Sequence, residues 1–205
     1  GQRSLISGCM GGVLAISFLF QIFAYSPLSD DRIVFVDVGQ GDSVHISSHG
    51  MDVLIDGGGS IGYNVGKKTL KPYLLKNGAA DIDLALATHQ HMDHMKGLEE
   101  LQEVYPVKKL MTGLTAGTEI NVNKDVKIQT LWPESIPENE GQDANSLCSV
   151  FMIFYKEYRI LVTGDLDEKG EKMMLEKYSK TGALAADVLK IGHHGSPTST
   201  CDEFL

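Results

Sequence analysis

The stretch Thr88–Gly97 reads T-H-Q-H-M-D-H-M-K-G and directly follows the apolar run Ile82–Ala87. It places three imidazoles and one carboxylate within six positions: His89, His91, Asp93 and His94. Imidazole and carboxylate groups are the ligands that zinc and manganese prefer. Two imidazoles at i and i+2 can bind one ion, and the two groups that follow can reach a second ion. The alternative interpretation is a His-rich polar surface loop, because a short motif alone carries a false-positive risk.

The composition of the whole chain favours one sizeable globular domain with an appendage. The chain has 205 residues, and 42% of them are hydrophobic, which argues against disorder. The formal net charge of −9 is unfavourable for a general nucleic-acid binder, although bound metal ions would supply positive charge locally. The three cysteines are odd in number and contain no Cys-x-x-Cys pair, so they predict no disulfide framework: Cys9, Cys148 and Cys201.

Residues 1–31 are predicted to form a transmembrane helix and a linker. Leu5–Tyr25 contains no charged residue, and a helix of that length spans about 30 Å, the thickness of the hydrocarbon core of a bilayer. Pro27 would end the segment, and Arg3 favours a cytoplasmic N-terminus with the following domain outside the membrane. A cleaved signal peptide and a buried core helix are the alternatives.

Residues 32–205 are predicted to form one domain of mixed α/β type, since strands come first and then alternate with helices. The acidic segment Glu134–Gln142 is expected to be its most mobile loop. Period-two and apolar runs predict these strands: Arg32–Val38, Ser43–Ser47, Met51–Ile55, Ile82–Thr88, Val126–Leu131, Val150–Tyr155, Tyr158–Thr163 and Asp187–Ile191. Three helices are predicted, the first with a possible kink at Pro72 and the last capped by Asp167: Val65–Lys76, Leu98–Val104 and Glu168–Tyr178.

Two further groups of ligand-type residues follow apolar strands. Asp165 comes after Thr163-Gly164 and is able to bridge two ions, although Gly-Asp is also an ordinary turn dipeptide. His193 and His194 follow the last strand through Gly192. Adjacent side chains diverge from an extended backbone, so we expect one imidazole to face the site and the other to support it or to act as a general acid.

The remaining candidates are predicted to be structural. His45 lies within a strand and His49 in a hairpin turn, and neither has a partner pattern. Cys148 precedes a strand and is expected to be a small buried hydrophobic side chain.

Three motifs resemble those of metallo-β-lactamase-fold hydrolases: Leu54-Ile-Asp56-Gly, His89-Gln-His91-Met-Asp93-His94 and Thr163-Gly-Asp165. The resemblance implies an αββα sandwich with the metals at one end of two facing sheets. It also implies that His89 and His91 hold the first ion, that Asp93 and His94 hold the second, and that Asp165 binds both. Asp56 would support these ligands without binding metal.

Four segments in this order are similar to the C-terminal domain of the ComEC competence family: V-D-V-G-Q-G-D-S at 36–43, Asn145-Ser146, V-T-G-D at 162–165 and K-I-G-H-H-G-S at 190–196. That family takes up DNA through a polytopic membrane channel and carries this domain after its last membrane helices. The predicted helix Leu5–Tyr25 agrees with such an arrangement.

The sequence departs from the general fold pattern in two places. Met95–Gly164 contains no His, and Asn145 and Ser146 stand where one might be, so the first ion would need another ligand or water. The final His of the pattern would lie beyond Leu205. We therefore expect the domain to be incomplete at its C-terminus, with an incomplete second site.

These observations predict a hydrolase with two divalent ions, zinc or manganese, and most specifically a DNA nuclease. The expected metal ligands are His89, His91, Asp93, His94, Asp165 and His193. Asp93 is also expected to be catalytic, together with His194, although either His193 or His194 is able to protonate the leaving oxygen. The expected substrate is single-stranded DNA, on the extracytoplasmic side of the cell membrane, beside the remaining channel portion of the same protein. The alternatives are a hydrolase of another phosphodiester or a phosphorylcholine ester, and a non-catalytic module that binds metal or DNA.

Overall fold

The computed structural model describes residues 31–136 and 144–205. The predicted transmembrane segment Leu5–Tyr25 lies outside the described residues, as do residues 137–142 of the acidic loop. Among the described residues, no helix is long and apolar enough to cross a membrane.

Ten strands of the described residues form two five-stranded sheets. The first sheet has the order β1-β2-β3-β4-β5 and the second β10-β9-β8-β7-β6. In the first sheet β2 is antiparallel to both β1 and β3, whereas β4 is parallel to β3 and β5 is parallel to β4. In the second sheet β10 is parallel to β9, and the other neighbouring strands are antiparallel. The strands are β1 (Arg32–Phe35), β2 (Val44–Ser48), β3 (Met51–Ile55), β4 (Leu84–Leu86), β5 (Leu110–Met111), β6 (Glu119–Asn121), β7 (Val126–Trp132), β8 (Val150–Tyr155), β9 (Tyr158–Val162) and β10 (Val188–Lys190).

Helices cover the outer face of each sheet. A π-helical turn (Gly66–Leu70) leads into α1 (Lys71–Lys76), and with α2 (Met92–Gln102) it covers the first sheet, while α3 (Glu168–Tyr178) covers the second. Short 3-10 helices occur at Ala144–Leu147 and His193–Gly195.

The central strands are apolar on both faces, as strands covered on both sides must be. On β3, Val53 and Ile55 belong to the core between the sheets, whereas Leu54 packs with the helices. On β8, Phe151 belongs to the core between the sheets and Met152 to the layer beneath α3. These separate cores produce four layers, so the predicted two-sheet α/β architecture is confirmed.

Several element boundaries differ from the sequence prediction. α2 begins at Met92 rather than Leu98, because His91 is extended at the N-cap and the second half of the metal motif, Asp93 and His94, lies in the first helical turn. Pro72 lies at the start of α1, directly after the π-helical turn, so the helix predicted over Val65–Lys76 changes its helical form just before Pro72. The two short strands β5 and β6 were not predicted. The Asp167 cap of α3 is confirmed, since its carboxylate accepts a hydrogen bond from the Gly170 N–H at 2.9 Å.

Candidate metal centre

The buried carboxylate of Asp165 is the centre of the candidate site. Asp165 is 2% exposed and follows β9. Its Oδ1 lies 3.1 Å from His94 Nε2 and 3.6 Å from His194 Nε2. Its Oδ2 lies 3.9 Å from His89 Nε2 and 3.8 Å from His193 Nε2. The structure therefore brings together four imidazoles, from two separate parts of the sequence, around one carboxylate from a third part.

Close contact between the two sheets places Asp165 beside the His cluster. Gly164 has a φ of +54°, and a Cβ at this position would lie 2.9 Å from the side chain of Thr88. The Ser149 N–H, just before β8, donates to the Thr88 carbonyl at 2.7 Å. The loops that follow β4 and β9 thus meet at the same end of the sandwich, with His89 on one side and Asp165 on the other.

The donor set fits a divalent cation. His89 Nε2 is buried and has no hydrogen-bond partner among the described residues, and His94 Nε2 and Asp165 Oδ1 are buried with only each other, at 3.1 Å, as a close polar neighbour. A buried polar atom without a partner is costly, and imidazole nitrogens that converge with a carboxylate are satisfied by a metal ion. Two groups of ligand-type atoms lie here, each with its atoms within 4.8 Å of one another: His89, His91 and Asp165, and Asp42, His94, Asp165 and His194.

Asp56 holds His94 from behind. Its Oδ2 lies 2.8 Å from His94 Nδ1 and accepts a hydrogen bond from the Thr88 hydroxyl at 2.8 Å. Its Oδ1 accepts from the Thr88 N–H, also at 2.8 Å. A carboxylate on one ring nitrogen fixes the other nitrogen toward a metal. Asp56 thus occupies the supporting position that the resemblance implies, and it does not face the centre directly.

The electrostatics divide the imidazoles into two kinds. Burial lowers the pKa of His94, but the carboxylates of Asp56 and Asp165 outweigh it and raise that pKa to about 10. Burial, together with the charge of His94, lowers the pKa of His89 to about 4. Burial raises the pKa of Asp165, but its hydrogen bond to His94 and the surrounding imidazoles outweigh this and lower it to about 2. Without metal at neutral pH, His89 is therefore neutral, His94 is a cation and Asp165 is an anion.

The N-cap and the first turn of α2 supply the other residues of the cluster. His91 is extended, with a φ of −62° and a ψ of 149°, and its ring centroid lies 4.5 Å from that of His89. Asp93 lies in the first turn, and its Oδ2 is 3.4 Å from His194 Nε2. Burial raises the pKa of Asp93, but the Gln40 side chain and His94 outweigh it, so the pKa is lowered. All the sequence-predicted residues thus lie at one end of the sandwich.

The His193-His194 pair differs from expectation, because both rings approach Asp165. The backbone here is not extended: φ is +47° at His193, +52° at His194 and +82° at Gly195. Consecutive left-handed residues are rarely adopted and are typical of functional sites. This turn directs both Nε2 atoms toward one carboxylate, and the Thr198 hydroxyl lies 3.4 Å from His193 Nδ1.

Sequence reasoning missed four residues of the site. The sequence contained one indication that Asp42 belongs to the site. Asp42 follows β1 through a glycine-containing turn, just as the predicted ligands follow apolar strands. The missed residues are Gln40, Asp42, Thr88 and Lys190.

The residues expected to be structural lie outside the centre. His45 is fully buried within β2, between Asp52 at 3.0 Å and the Tyr73 hydroxyl at 3.1 Å. Cys148 is also fully buried, and its thiol donates to the Thr163 carbonyl at 3.2 Å. His49 lies in its hairpin turn and contacts two carboxylates, Asp125 at 2.5 Å and Asp31 at 3.8 Å.

The geometry agrees with comparisons to known proteins. Residues 36–122 match the model of the metallo-beta-lactamase superfamily. These residues carry a metallo-beta-lactamase domain. Among solved structures, SMB-1 bound to 2-mercaptoethanesulfonate is 14% identical with a TM-score of 0.55, covering 79% of this chain and 76% of that one. MEM-A1, a subclass B3 enzyme from a soil metagenome library, is 15% identical with a TM-score of 0.54, covering 79% and 75%. At these identities the likeness shows the fold.

The predicted resemblance to the ComEC family is also confirmed, since the curated homologues are proteins of that family. ComE operon protein 3 of Bacillus subtilis is 29% identical and covers 100% of this chain. Recombination protein 2 of Haemophilus influenzae is 26% identical over 100% of the chain, and competence protein ComA of Neisseria gonorrhoeae is 30% identical over 87%. The chain spans 30%, 26% and 26% of the length of these three relatives.

Proposed function

We propose that this domain is a metal-dependent phosphodiesterase that cleaves DNA within a membrane DNA-uptake system. The observation that carries the proposal is the buried Asp165 carboxylate among four imidazoles, with a buried, unpartnered Nε2 on His89. Relatives named as competence and recombination proteins support DNA as the substrate.

The distances support a division of the ligands into two sites that share Asp165. His89 and His91 would hold the first ion with one oxygen of Asp165. Asp93 and His94 would hold the second with the other oxygen. Zinc or manganese bound there would lower the pKa of water and neutralise the charge that develops on a phosphodiester.

We assign His194 to the second site and His193 to proton transfer, the reverse of the division expected from sequence. His194 Nε2 lies within 3.6 Å of two carboxylates, those of Asp93 and Asp165, as a shared ligand position requires. His193 Nε2 contacts only Asp165 among the acidic residues described, at 3.8 Å. His193 therefore remains available to protonate the leaving oxygen. His194 would supply the imidazole that the general pattern places beyond Leu205.

The cellular setting is part of the proposal. The apolar segment Leu5–Tyr25 would anchor the domain in the cell membrane, and Arg3 favours the extracytoplasmic side. The relatives are about three to four times longer than this chain, so their remaining portions would supply the channel. The strand that is not imported through that channel is the expected single-stranded substrate.

The test is cleavage of single-stranded DNA by the full chain loaded with manganese or zinc. We expect cleavage by the wild type and none by Asp165→Ala. Asp52→Asn is the matched control, since it alters another buried carboxylate–imidazole pair, with His45, away from the centre. Absence of cleavage by metal-loaded wild type, or equal cleavage by Asp165→Ala, would refute the proposal.

The two histidine variants separate their roles. His193→Ala is expected to keep two metals per chain and lose turnover, because its role is proton transfer. His194→Ala is expected to lose the second metal as well. Elemental analysis together with cleavage rates distinguishes the two results, and equal metal loss in both variants would contradict the assignment.

One observation favours a second candidate substrate. The chain has 27 acidic and 18 basic residues, and this excess of negative charge repels a polyanion but has less effect on a small phosphodiester. Cleavage of bis(p-nitrophenyl) phosphate without cleavage of DNA would favour this alternative.

A further inference from the structure

The loop between β1 and β2, residues 39–42, contacts two ligands of the second site from behind. This segment, Gly39-Gln40-Gly41-Asp42, is called the Gly39–Asp42 loop below. The Gln40 side-chain amide donates to Asp93 Oδ2 at 3.2 Å. Asp42 Oδ1 lies 3.0 Å from His194 Nδ1. One short loop thus reaches two proposed ligands that are about a hundred positions apart in the chain.

Asp42 is placed to orient His194 rather than to bind metal itself. It is 7% exposed, and its Oδ2 forms an ion pair with Lys190 Nζ at 2.5 Å. The Lys190 ammonium group occupies the position beside Asp42 Oδ2 that a metal ion would need. With Oδ1 on His194 Nδ1, the tautomer that carries its hydrogen on Nδ1 is favoured. The Nε2 lone pair then points toward Asp93 and Asp165, as a ligand requires.

The backbone of the loop is fitted closely to the first turn of α2. Gly41 has a φ of +98°, and a Cβ at this position would lie 1.8 Å from the Asp93 carbonyl oxygen, so only glycine fits. The Asp42 N–H donates to the same carbonyl at 3.3 Å, and the Gly58 N–H donates to the Asp42 carbonyl at 2.8 Å. The loop is therefore held at a fixed distance from the helix that carries Asp93 and His94.

We propose that the Gly39–Asp42 loop positions Asp93 and His194 and thereby sets the affinity of the second metal site, but not of the first. No residue of the loop contacts His89 or His91 within hydrogen-bond distance among the described residues, so the first site is outside its reach. Gln40 and Asp42 are positioning residues in this scheme. The inference rests on the proposed two-metal function and deepens it, because it assigns separate control to one of the two ions.

The experiment measures both dissociation constants by zinc titration of the full chain against a chromophoric chelator. Asp42→Asn is expected to weaken the second site by about 10- to 100-fold, the usual effect of losing the partner of a ligating imidazole, and to leave the first unchanged. Gln40→Ala is also expected to lower the affinity of the second site for zinc. It removes an exposed side chain, so it is the variant least expected to disturb folding. Asp42→Glu keeps the carboxylate and is expected to restore part of the affinity.

A second readout separates positioning from a general loss of structure. Long-range ¹H–¹⁵N NMR of the His194 ring is expected to show the Nδ1–H tautomer in the metal-free wild type above the pKa of this ring, and a mixture in Asp42→Asn. Asp52→Asn, which disturbs the distant pair with His45, is expected to change neither the tautomer nor either dissociation constant.

The outcomes distinguish the inference from the proposed function. Equal weakening of both sites, or two unchanged sites in Asp42→Asn and Gln40→Ala, would overturn the role of the loop while leaving a two-metal hydrolase in place. A wild-type chain that binds less than one zinc would overturn both.

Discussion

Raising the pH from about 6.5 to about 8.5 is expected to strengthen binding of the second metal ion by at least about 100-fold, because His94 must lose its proton before it binds. The pKa of His94 is raised to about 10 in the metal-free protein, so its ring is protonated throughout this range. Because the pKa of His94 is raised, a proton competes with the metal ion for this ring at every pH below that pKa. The competition ends only as the pH passes about 10. At about pH 7.5 it weakens the apparent affinity by roughly 300-fold.

The first site is expected to behave differently. Burial lowers the pKa of His89 to about 4, so its imidazole is already neutral above about pH 5 and releases no proton when metal binds. The pKa of Asp165 is lowered to about 2, so the shared carboxylate is ionised throughout. The hydrogen bond to Asp42 raises the pKa of His194, which adds to the pH dependence of the second site only.

Isothermal titration calorimetry in two buffers with different ionisation enthalpies measures the protons released with each ion. We expect the second ion to release about one proton or more at about pH 7.5. Asp56→Asn removes one of the two carboxylates that raise the pKa of His94, so binding of its second ion is expected to release fewer protons at about pH 7.5 and to depend less on pH than in the wild type. Binding of two ions with no proton release, and with an affinity independent of pH, would refute this reasoning.

Three further outcomes are expected. Asp165→Asn should bind neither ion tightly, since it removes the carboxylate common to both sites, and elemental analysis near zero metals per chain would confirm this. Gly41→Ala should lower the free energy of unfolding, measured by urea denaturation, by several kcal/mol more than Gly39→Ala. Both glycines have a positive φ, which costs about 1–2 kcal/mol for alanine, but only the Cβ at position 41 would meet backbone, at 1.8 Å from the Asp93 carbonyl oxygen. Equal losses of stability in the two variants would contradict the close fit of the loop. Zinc at about 100 times its dissociation constant should stabilise the chain by about 2.7 kcal/mol, and a chelator should reverse the shift in melting temperature; a melting temperature insensitive to both would count against a preformed site.

Much of the site could be predicted because its residues follow apolar strands. His89, Asp165 and the His193-His194 pair each come after such a strand, and sheet scaffolds gather their ligands at strand ends. The same rule would have found Asp42 after β1, had the Gly-Gln-Gly turn been interpreted as a loop that faces the centre. The role of Asp42 was missed because Asp is a common residue in glycine-containing turns, so its presence there did not indicate a functional site.

Other features depend on tertiary contacts that no local pattern carries. The left-handed turn at His193 and His194 is held by the His193 N–H, which donates to the Gly164 carbonyl at 3.0 Å on a neighbouring loop. Strand β5 is only two residues long and exists because it pairs with β4. The early start of α2 was missed because apolar periodicity begins at Leu98, whereas the turn before it is formed by polar ligand residues.

On the proposed assignment, each ion would be a crosslink between the two sheets. His89 and His94 follow the first sheet, and Asp165 follows the second, so the sheets cannot separate until the metal leaves. Release of the metal then becomes a step in unfolding. The metal-free chain would unfold more often, so proteases would cleave it more readily than the metal-bound chain. The cellular lifetime of the domain would accordingly follow the supply of the metal, independently of whether any substrate is present.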